Sequence, residues 1–263
     1  MSPMQILERG VALLCAPGGV LRQVCVVLLS LLLVAALPAQ AQVSIPGTRV
    51  VFPAEKAEVV VPVTNRGETP VLVQAWVADG DADQPPEQSK APFVLAPPMV
   101  RLDAGQDAFV RVRQISAAAP TDRREHLYWL NILAIPPRAK GGENNLELAV
   151  RSRYKVLFRP AALPPPPVDR MEGVTVSRRN DGGNAFLVFT NSTAYHLNLG
   201  RVAIVQGDAE TELDNPFAPP FGEGVIALPS TATGSAMEVR FSWLDDDGRL
   251  HPVTRQLGVS TQY

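Results

Sequence analysis

Residues 122–160 read DRREHLYWLNILAIPPRAKGGENNLELAVRSRYKVLFRP, and this stretch decides the fold. It contains two runs rich in β-branched, leucine and aromatic side chains, Leu127–Ile135 and Leu146–Phe158, with a connection rich in proline and glycine between them. Runs of this length, bounded by turn-forming residues, predict β-strands. We interpret Trp129, Trp76 and the apolar positions of the first run as core.

The same pattern continues on both sides of this stretch. Long helical periodicity is missing, and turn-forming clusters such as Asn65-Arg66-Gly67 separate the apolar runs. Short strands at such spacing favour a β-sandwich or a barrel, and the 25 prolines agree because proline is costly inside helices and central strands. The further predicted strands are Val50–Phe52, Glu58–Val63, Val71–Val77, Phe109–Arg113, Val174–Arg178, Ala185–Thr190, Leu197–Val205, Val225–Leu228 and Met237–Trp243.

One proline run differs from the scattered loop prolines. Four consecutive prolines, Pro164–Pro167, favour a stiff polyproline II spacer over a flexible tether. We therefore predict an all-β protein with one domain at 42–159, a proline-rich linker at 160–168, and a second domain at 169–263.

The first 41 residues have the features of a secretory signal peptide. An apolar run at Val24–Leu37 is followed by Ala39-Gln40-Ala41, with small residues at the two positions that signal peptidase reads. The run is shorter than the roughly 20 residues of a membrane-spanning helix. We expect cleavage after Ala41, no membrane span afterwards, and no disulfide, because Cys15 and Cys25 both lie in the leader.

Charge and motifs exclude several classes of function. Without the leader, the 24 basic and 26 acidic residues fall to 22 and 25, a balance that gives no reason to expect a nucleic-acid partner. His126, His196 and His251 lack metal-ligand spacing, and no nucleophile elbow or phosphate-binding glycine loop is present. Asp245–Gly248 fits a hairpin turn better than a calcium loop, and Asn191-Ser192-Thr193 is a formal glycosylation sequon. We predict a binding protein with no cofactor or metal, not an enzyme.

The 122–160 stretch closely resembles the periplasmic chaperones of the chaperone–usher pilus pathway, the PapD-like family. Supporting matches are TRVVFPAEKAEVVVPVTNRGETPVLVQAWV and APFVLAPPMVRLDAGQDAFVRV upstream, and FTNSTAYHLNLG, FAPPFG and FSWLDDDG downstream. The resemblance implies two immunoglobulin-like sandwiches arranged as an L with an interdomain cleft. It also implies a periplasmic protein that binds pilus subunits by donor-strand complementation, delivers them to an outer-membrane usher, and forms a self-capping oligomer when free.

A donor strand would need large apolar side chains on one face. By strand alternation, Leu146, Leu148 and Val150 share a face, whereas Glu147 and Ala149 lie on the other. The family implies that this face enters a groove of the subunit. An ordinary strand that buries the same face in its own core is the alternative.

Two cations match family positions that hold the carboxylate at the C-terminus of the subunit, namely Arg49 and Lys155. A guanidinium fork and an ammonium in a partly dry cleft suit a carboxylate well. The alternative is a pair of solvated strand charges. Strict alternation places Lys155 opposite Leu148 and Val150, so a twist or bulge near Arg151–Arg153 would be needed to bring them to one face.

A third set, Glu125, Arg159 and Asp246, matches family positions that form ion pairs between the domains. The alternative is unrelated surface charges, whose isolated pairs contribute about 0–1 kcal/mol. The connection between Ile135 and Leu146 is short, which resembles the short-loop chaperones of thick, rod-like pili.

Two other classes of function compete with a chaperone. One is a pilus subunit or adhesin, although such subunits are usually single incomplete domains with a disulfide. The other is an immunoglobulin-like periplasmic protein that binds sugar or another ligand. Such a protein would need an aromatic-lined pocket, and aromatic residues make up only 6% of the chain.

Overall fold

The computed structural model describes residues 42–80, 83–138, 147–207, 209–214, 216–230, 232 and 237–257. The predicted signal peptide, Leu146 of the predicted donor strand and most of the connection before it lie outside these residues. In the ranges described, no helix has the length and apolar character to cross a membrane.

The first sandwich consists of two facing sheets. One has the strand order β1-β3-β7-β5 and the other β2-β9-β8-β4-β6. Neighbouring strands are antiparallel except β2 and β9, which run parallel. The strands are β1 Val43–Ser44, β2 Arg49–Pro53, β3 Glu58–Asn65, β4 Val71–Ala78, β5 Phe93–Ala96, β6 Met99–Leu102, β7 Asp107–Gln114, β8 His126–Ile135 and β9 Val150–Arg159.

The core of the first sandwich forms where alternate residues of both sheets meet. Phe52 and Phe158 are fully buried, and each packs against Phe93, the Phe52 ring edge-to-face at a centroid distance of 5.2 Å. In β8 the core-facing row is Tyr128, Leu130, Ile132 and Ala134. Each fully buried side chain of this size stabilises the fold by about 1.5–3 kcal/mol.

The two tryptophans lie in the outward-facing rows of β8 and β4, opposite the core rows. Trp76 is buried, with the Arg151 guanidinium 6.0 Å from its ring centroid. Trp129 is only half-buried, and Arg153 covers it at 4.3 Å. The interpretation of Trp129 as core is therefore wrong, because a large apolar ring can also be shielded by the stem and guanidinium of an arginine.

The second sandwich has its own core and its own pair of sheets. The sheet orders are β10-β11-β15 and β13-β12-β16-β17, and β14 pairs with β12. Phe189 and Phe241 meet edge-to-face at 5.1 Å between the two sheets. The strands are β10 Val174–Asp181, β11 Asn184–Asn191, β12 Leu197–Gln206, β13 Ala209–Leu213, β14 Phe217–Ala218, β15 Gly222–Ala227, β16 Met237–Leu244 and β17 Leu250–Leu257. The prediction of an all-β protein with two sandwiches is confirmed.

The segment between β9 and β10 is fastened to the second sandwich. The Leu163 amide donates to the Pro160 carbonyl at 2.9 Å, which closes a turn directly after β9. The Tyr195 hydroxyl then donates to the Pro164 carbonyl at the start of the proline run. A tethered polyproline segment restricts the orientation of one sandwich relative to the other.

Two sequence motifs have purely structural roles. Asn191 is buried, and its amide donates to the Tyr195, Ala218 and Pro219 carbonyls at 2.7–3.3 Å, so the sequon is inaccessible in the folded protein. Gly248 has a φ of 80° and donates its amide to the Asp245 carbonyl at 3.1 Å. The Asp245–Gly248 motif is the turn of the β16–β17 hairpin, as predicted.

Candidate functional site

Arg49 and Lys155 lie side by side on neighbouring strands. They are direct partners in the parallel β2–β9 register, so both side chains leave the sheet on the same face. Together with Asn198 and Leu244 of the second sandwich, they line a cavity of about 320 Å³. Arg153 of β9 also lines this cavity, so three cations from one sandwich face uncharged residues of the other.

Lys155 reaches across this cavity to the second sandwich. Its Nζ donates a hydrogen bond of 2.7 Å to Asn198 Oδ1 and lies 4.5 Å from the centroid of the Phe217 ring. Burial, together with the positive charge of Arg49, lowers the pKa of Lys155 to about 8. The ammonium is thus desolvated and has a neutral hydrogen-bond acceptor.

Arg49 is half-buried, and burial lowers its pKa. Its Nε is buried and has no hydrogen-bond partner in the described ranges, and one terminal nitrogen reaches Thr48 Oγ1 only at 3.5 Å. A buried N–H without an acceptor is costly, and an acceptor brought by a ligand would remove that cost. Arg49 therefore keeps a buried donor for which the described residues provide no acceptor.

Leu148 and Val150, the two predicted donor residues that the structure describes, lie at the start of β9. Leu148 is 63% exposed and Val150 is 53% exposed. Val150 belongs to the row of β9 that carries the buried Val156 and Phe158, so this row continues past the edge of the core. Exposed apolar side chains that extend a core-facing row form a surface suited to another apolar surface.

The start of β9 corrects two expectations. The predicted strand began at Leu146, but Glu147–Ala149 are not strand, because the pairing of β9 with β8 ends at Val150 and Ala134. The β8–β9 register runs from His126 with Phe158 to Ala134 with Val150 without a shift. The suggested bulge near Arg151–Arg153 is therefore absent, and Lys155 stays on the face opposite Val150.

Charged residues of both sandwiches meet around Arg159 at the end of β9. Arg159 donates to Glu125 Oε1 at 2.8 Å and to both oxygens of Asp246 at 2.7 Å. Arg170 also bonds Asp246, at 2.9 Å, and His196 donates its backbone N–H to Glu125 Oε2 at 2.9 Å. Glu125 and Arg159 belong to the first sandwich and Asp246 and His196 to the second, so this network joins the two.

Burial alone would raise the pKa of Glu125, but the hydrogen bond from His196 and the charge of Arg159 lower it below its ordinary value. For Asp246, burial is likewise outweighed by the hydrogen bonds and charge of Arg159, so its pKa is also lowered. Both carboxylates are therefore ionised partners of a guanidinium and stabilise the fold above their unfolded-state pKa values.

We expect Glu125→Ala to lower the free energy of unfolding by about 3 kcal/mol at neutral pH, because it leaves a buried guanidinium without one of its carboxylates. The measurement is urea denaturation. Asp247→Ala is the matched control, since the Asp247 side chain is 73% exposed and its change should lie within about 0.5 kcal/mol.

The Glu125 contribution should depend on pH. A lowered folded pKa means that the stabilisation is complete above the unfolded value of about 4.3 and disappears as pH falls through the folded value. The difference between wild type and Glu125→Ala should therefore narrow below about pH 4. An equal stability of the two proteins at pH 7 would contradict the role of Glu125.

Several residues that sequence reasoning did not single out belong to these sites. They include Asn198 and Phe217 at the cavity, and Arg170, Tyr195 and His196 at the ion-pair network. Tyr195 lies between two guanidinium groups, 5.2 Å from Arg159 and 5.0 Å from Arg170. The stretch NSTAYHLN, which carries three of these residues, was already a family match and was the available signal.

Within the part of the chain that the structure describes, no group of three or more histidine, cysteine, aspartate or glutamate residues could hold a metal ion.

Comparison with family models divides the chain into two matches. Residues 42–164 match the model described as the pili and flagellar-assembly chaperone, PapD N-terminal domain. Residues 169–255 match the model described as the pili assembly chaperone PapD, C-terminal domain. The two matched ranges follow each other in the order of the two sandwiches.

Individual relatives span almost the same region. The chain is 32% identical over 220 residues to the chaperone protein FimB/FhaD of Bordetella pertussis, which covers 81% of this chain and 87% of the relative. It is similar in structure to the CupB2 chaperone of Pseudomonas aeruginosa, with a TM-score of 0.67, 32% identity, and coverage of 82% and 100% of the two chains. It is also similar to a chain of the Salmonella enterica complex of SafA pilin with SafB chaperone, with a TM-score of 0.66, 27% identity, and coverage of 83% and 98%.

Proposed function

The chain belongs to the PapD-like family of pilus-assembly chaperones of the chaperone–usher pathway, and we propose that it works in the periplasm, caps pilus subunits by donor-strand complementation and delivers them to an outer-membrane usher. Family membership sets aside the two rival hypotheses, a pilus subunit or adhesin and an immunoglobulin-like ligand-binding protein. In this proposal the protein acts by binding alone, without catalysis.

The observation that carries the proposal is the exposed apolar row at the start of β9. A pilus subunit that lacks one strand of its sandwich presents unpaired backbone groups and an open hydrophobic groove. Leu148 and Ala149 pair with no strand among the described residues, so their backbone is available for pairing. Leu148 and Val150 would fill the groove, while the backbone would supply the missing hydrogen bonds.

The two cations support the same proposal by fixing the end of the subunit. Arg49 and Lys155 would each donate a charge-assisted hydrogen bond to the subunit's C-terminal carboxylate in the cavity between the sandwiches. The donor residues leave β9 on one face and Lys155 on the other, so the anchor and the groove contact use different sides of the same strand. One rigid strand would thereby set both the position and the register of the bound subunit.

Co-expression with the pilins and usher of a neighbouring gene cluster tests the proposal. The protein should be recovered from a periplasmic extract with Gln42 as its first residue, in a stoichiometric complex with a subunit. A variant with Ala39→Lys and Ala41→Lys should retain its leader and yield no periplasmic complex. Recovery of the unaltered protein from the membrane fraction with an intact leader, or alone in the periplasm beside abundant soluble subunit, would overturn the proposal.

A further inference from the structure

Asn198 holds the ammonium of Lys155 from the opposite sandwich. It lies on β12, is 5% exposed, and accepts the 2.7 Å hydrogen bond from Lys155 Nζ. Its direct partner in the β12–β14 register is Phe217, whose ring centroid lies 4.5 Å from the same Nζ. Two neighbouring residues of the second sandwich, Asn198 and Phe217, thus hold the Lys155 ammonium of the first sandwich.

The hydrogen bond between Lys155 and Asn198 is significant because the Asn198 side chain is neutral. An amide oxygen orients an ammonium through a hydrogen bond but leaves its positive charge uncompensated, whereas a carboxylate in the same place would neutralise it. The face of an aromatic ring likewise attracts a cation without cancelling its charge. Lys155 has three N–H donors and therefore keeps capacity for a ligand after bonding Asn198.

Arg49 lies beside Lys155 on the first-sandwich side of the cavity. It is the register partner of Lys155, and no described residue provides an acceptor for its buried Nε. A carboxylate placed between the two side chains would supply an acceptor to Arg49 and a counter-charge to Lys155. A C-terminal amide would bring no negative charge, so the attraction between opposite charges would be lost.

We propose that Asn198 is a positioning residue of the anchoring cavity. Its uncharged side chain holds Lys155 beside Arg49, so that the cavity accepts a peptide C-terminal carboxylate and discriminates against the corresponding amide. The inference rests on the proposed function, since it concerns how the same cavity recognises the subunit's end. Because Asn198 and Lys155 belong to different sandwiches, the site depends on the contacts that hold the two together, among them the Arg159 network.

Asn198→Asp tests the inference, because it replaces only the amide NH2 group by oxygen. The introduced carboxylate would form an ion pair with Lys155 and neutralise the positive charge that an incoming carboxylate needs. The probe is an eight-residue peptide of alternating valine and serine, prepared with a free C-terminal carboxylate and as the C-terminal amide. We expect wild type at pH 7 to bind the acid about ten-fold or more tightly than the amide, as the loss of a charge-assisted hydrogen bond implies.

In Asn198→Asp that preference should fall to about two-fold or less, and NMR of the Lys155 ε-carbon should show a raised pKa. Asn184→Asp adds the same charge at an exposed position of the second sandwich and should keep the full preference. Asn198→Ala removes the hydrogen-bond acceptor of Lys155 without adding charge, so it should also reduce the preference for the acid. It provides a second test if the aspartate variant does not fold.

The outcomes separate the two levels of the argument. If wild type prefers the acid and both Asn198 variants keep that preference, the role of Asn198 is overturned and the anchor of Arg49 and Lys155 stands. If wild type binds acid and amide equally, the carboxylate anchor itself is wrong, and the inference falls with it.

Discussion

A protein carrying both Arg49→Ala and Lys155→Ala should fold normally and fail to capture pilus subunits. Each lost charge-assisted hydrogen bond costs about 1.5–3 kcal/mol, so removal of both should weaken the complex by about 100-fold or more. Folding should not suffer in proportion, because burial already disfavours the charged form of each side chain. Co-purification of the subunit and thermal melting of the free chaperone measure the two quantities.

The matched control is the double variant Arg111→Ala and Arg113→Ala. These two arginines lie on β7, and each side chain is 60% exposed, so the variant loses the same formal charge away from the cavity. It should capture subunits like wild type. Equal capture by the cavity variant and this control would show that Arg49 and Lys155 are bystander charges.

The lowered pKa of Lys155 gives the same site a pH signature. With a pKa of about 8, the free ammonium loses its proton as pH rises through that value, and binding then requires proton uptake. Subunit affinity should therefore decrease above pH 8, by up to about ten-fold per pH unit. Lys155→Arg keeps its charge throughout this range, so it should bind with little change between pH 7 and pH 9.5.

The fold could be predicted from the sequence because its two strongest signals are local. Apolar runs bounded by turn residues mark strands such as Leu127–Ile135, and the proline run at Pro164–Pro167 marks the joint between the sandwiches. The start of β9 was predicted less well, because Leu148 and Ala149 continue the strand pattern of the sequence but pair with no strand in the described ranges. Strand composition alone does not reveal whether a pairing partner exists.

Only part of the candidate site could be predicted from the sequence, for a related reason. The family resemblance supplied Arg49 and Lys155, and the structure pairs them in register. It gave no role to Asn198, because the contact between Asn198 and Lys155 spans 43 residues of sequence and depends on how the sandwiches meet. Trp129 was misassigned because alternation gives two rows and does not say which one an arginine will cover.

Replacing Leu148 by glutamate should abolish subunit capture and leave the chaperone's own stability almost unchanged. The side chain is 63% exposed in the free protein, and surface substitutions usually alter the free energy of unfolding by no more than about 0.5 kcal/mol. In the complex the same position would lie in an apolar groove, where an unpaired carboxylate is strongly unfavourable. The substitution should therefore abolish subunit binding without a comparable change in the free energy of unfolding.

Phe109→Glu is the matched control for that variant. Phe109 is 61% exposed on β7 of the other sheet of the same sandwich, so the change places an equal charge at an equally exposed apolar position. Capture should persist in this control. Loss of capture in both variants would mean that added surface charge, not the face of β9, is responsible.

The most direct test of donor-strand capture is the melting temperature of free Leu148→Glu measured beside its yield of co-purified subunit. Our account predicts a melting temperature within about 2 °C of wild type, as expected for a change of at most about 0.5 kcal/mol, together with no recovered subunit. If Leu148→Glu melts far below wild type, or if it melts normally and still brings down the subunit, Leu148 does not enter a subunit groove and the account is wrong.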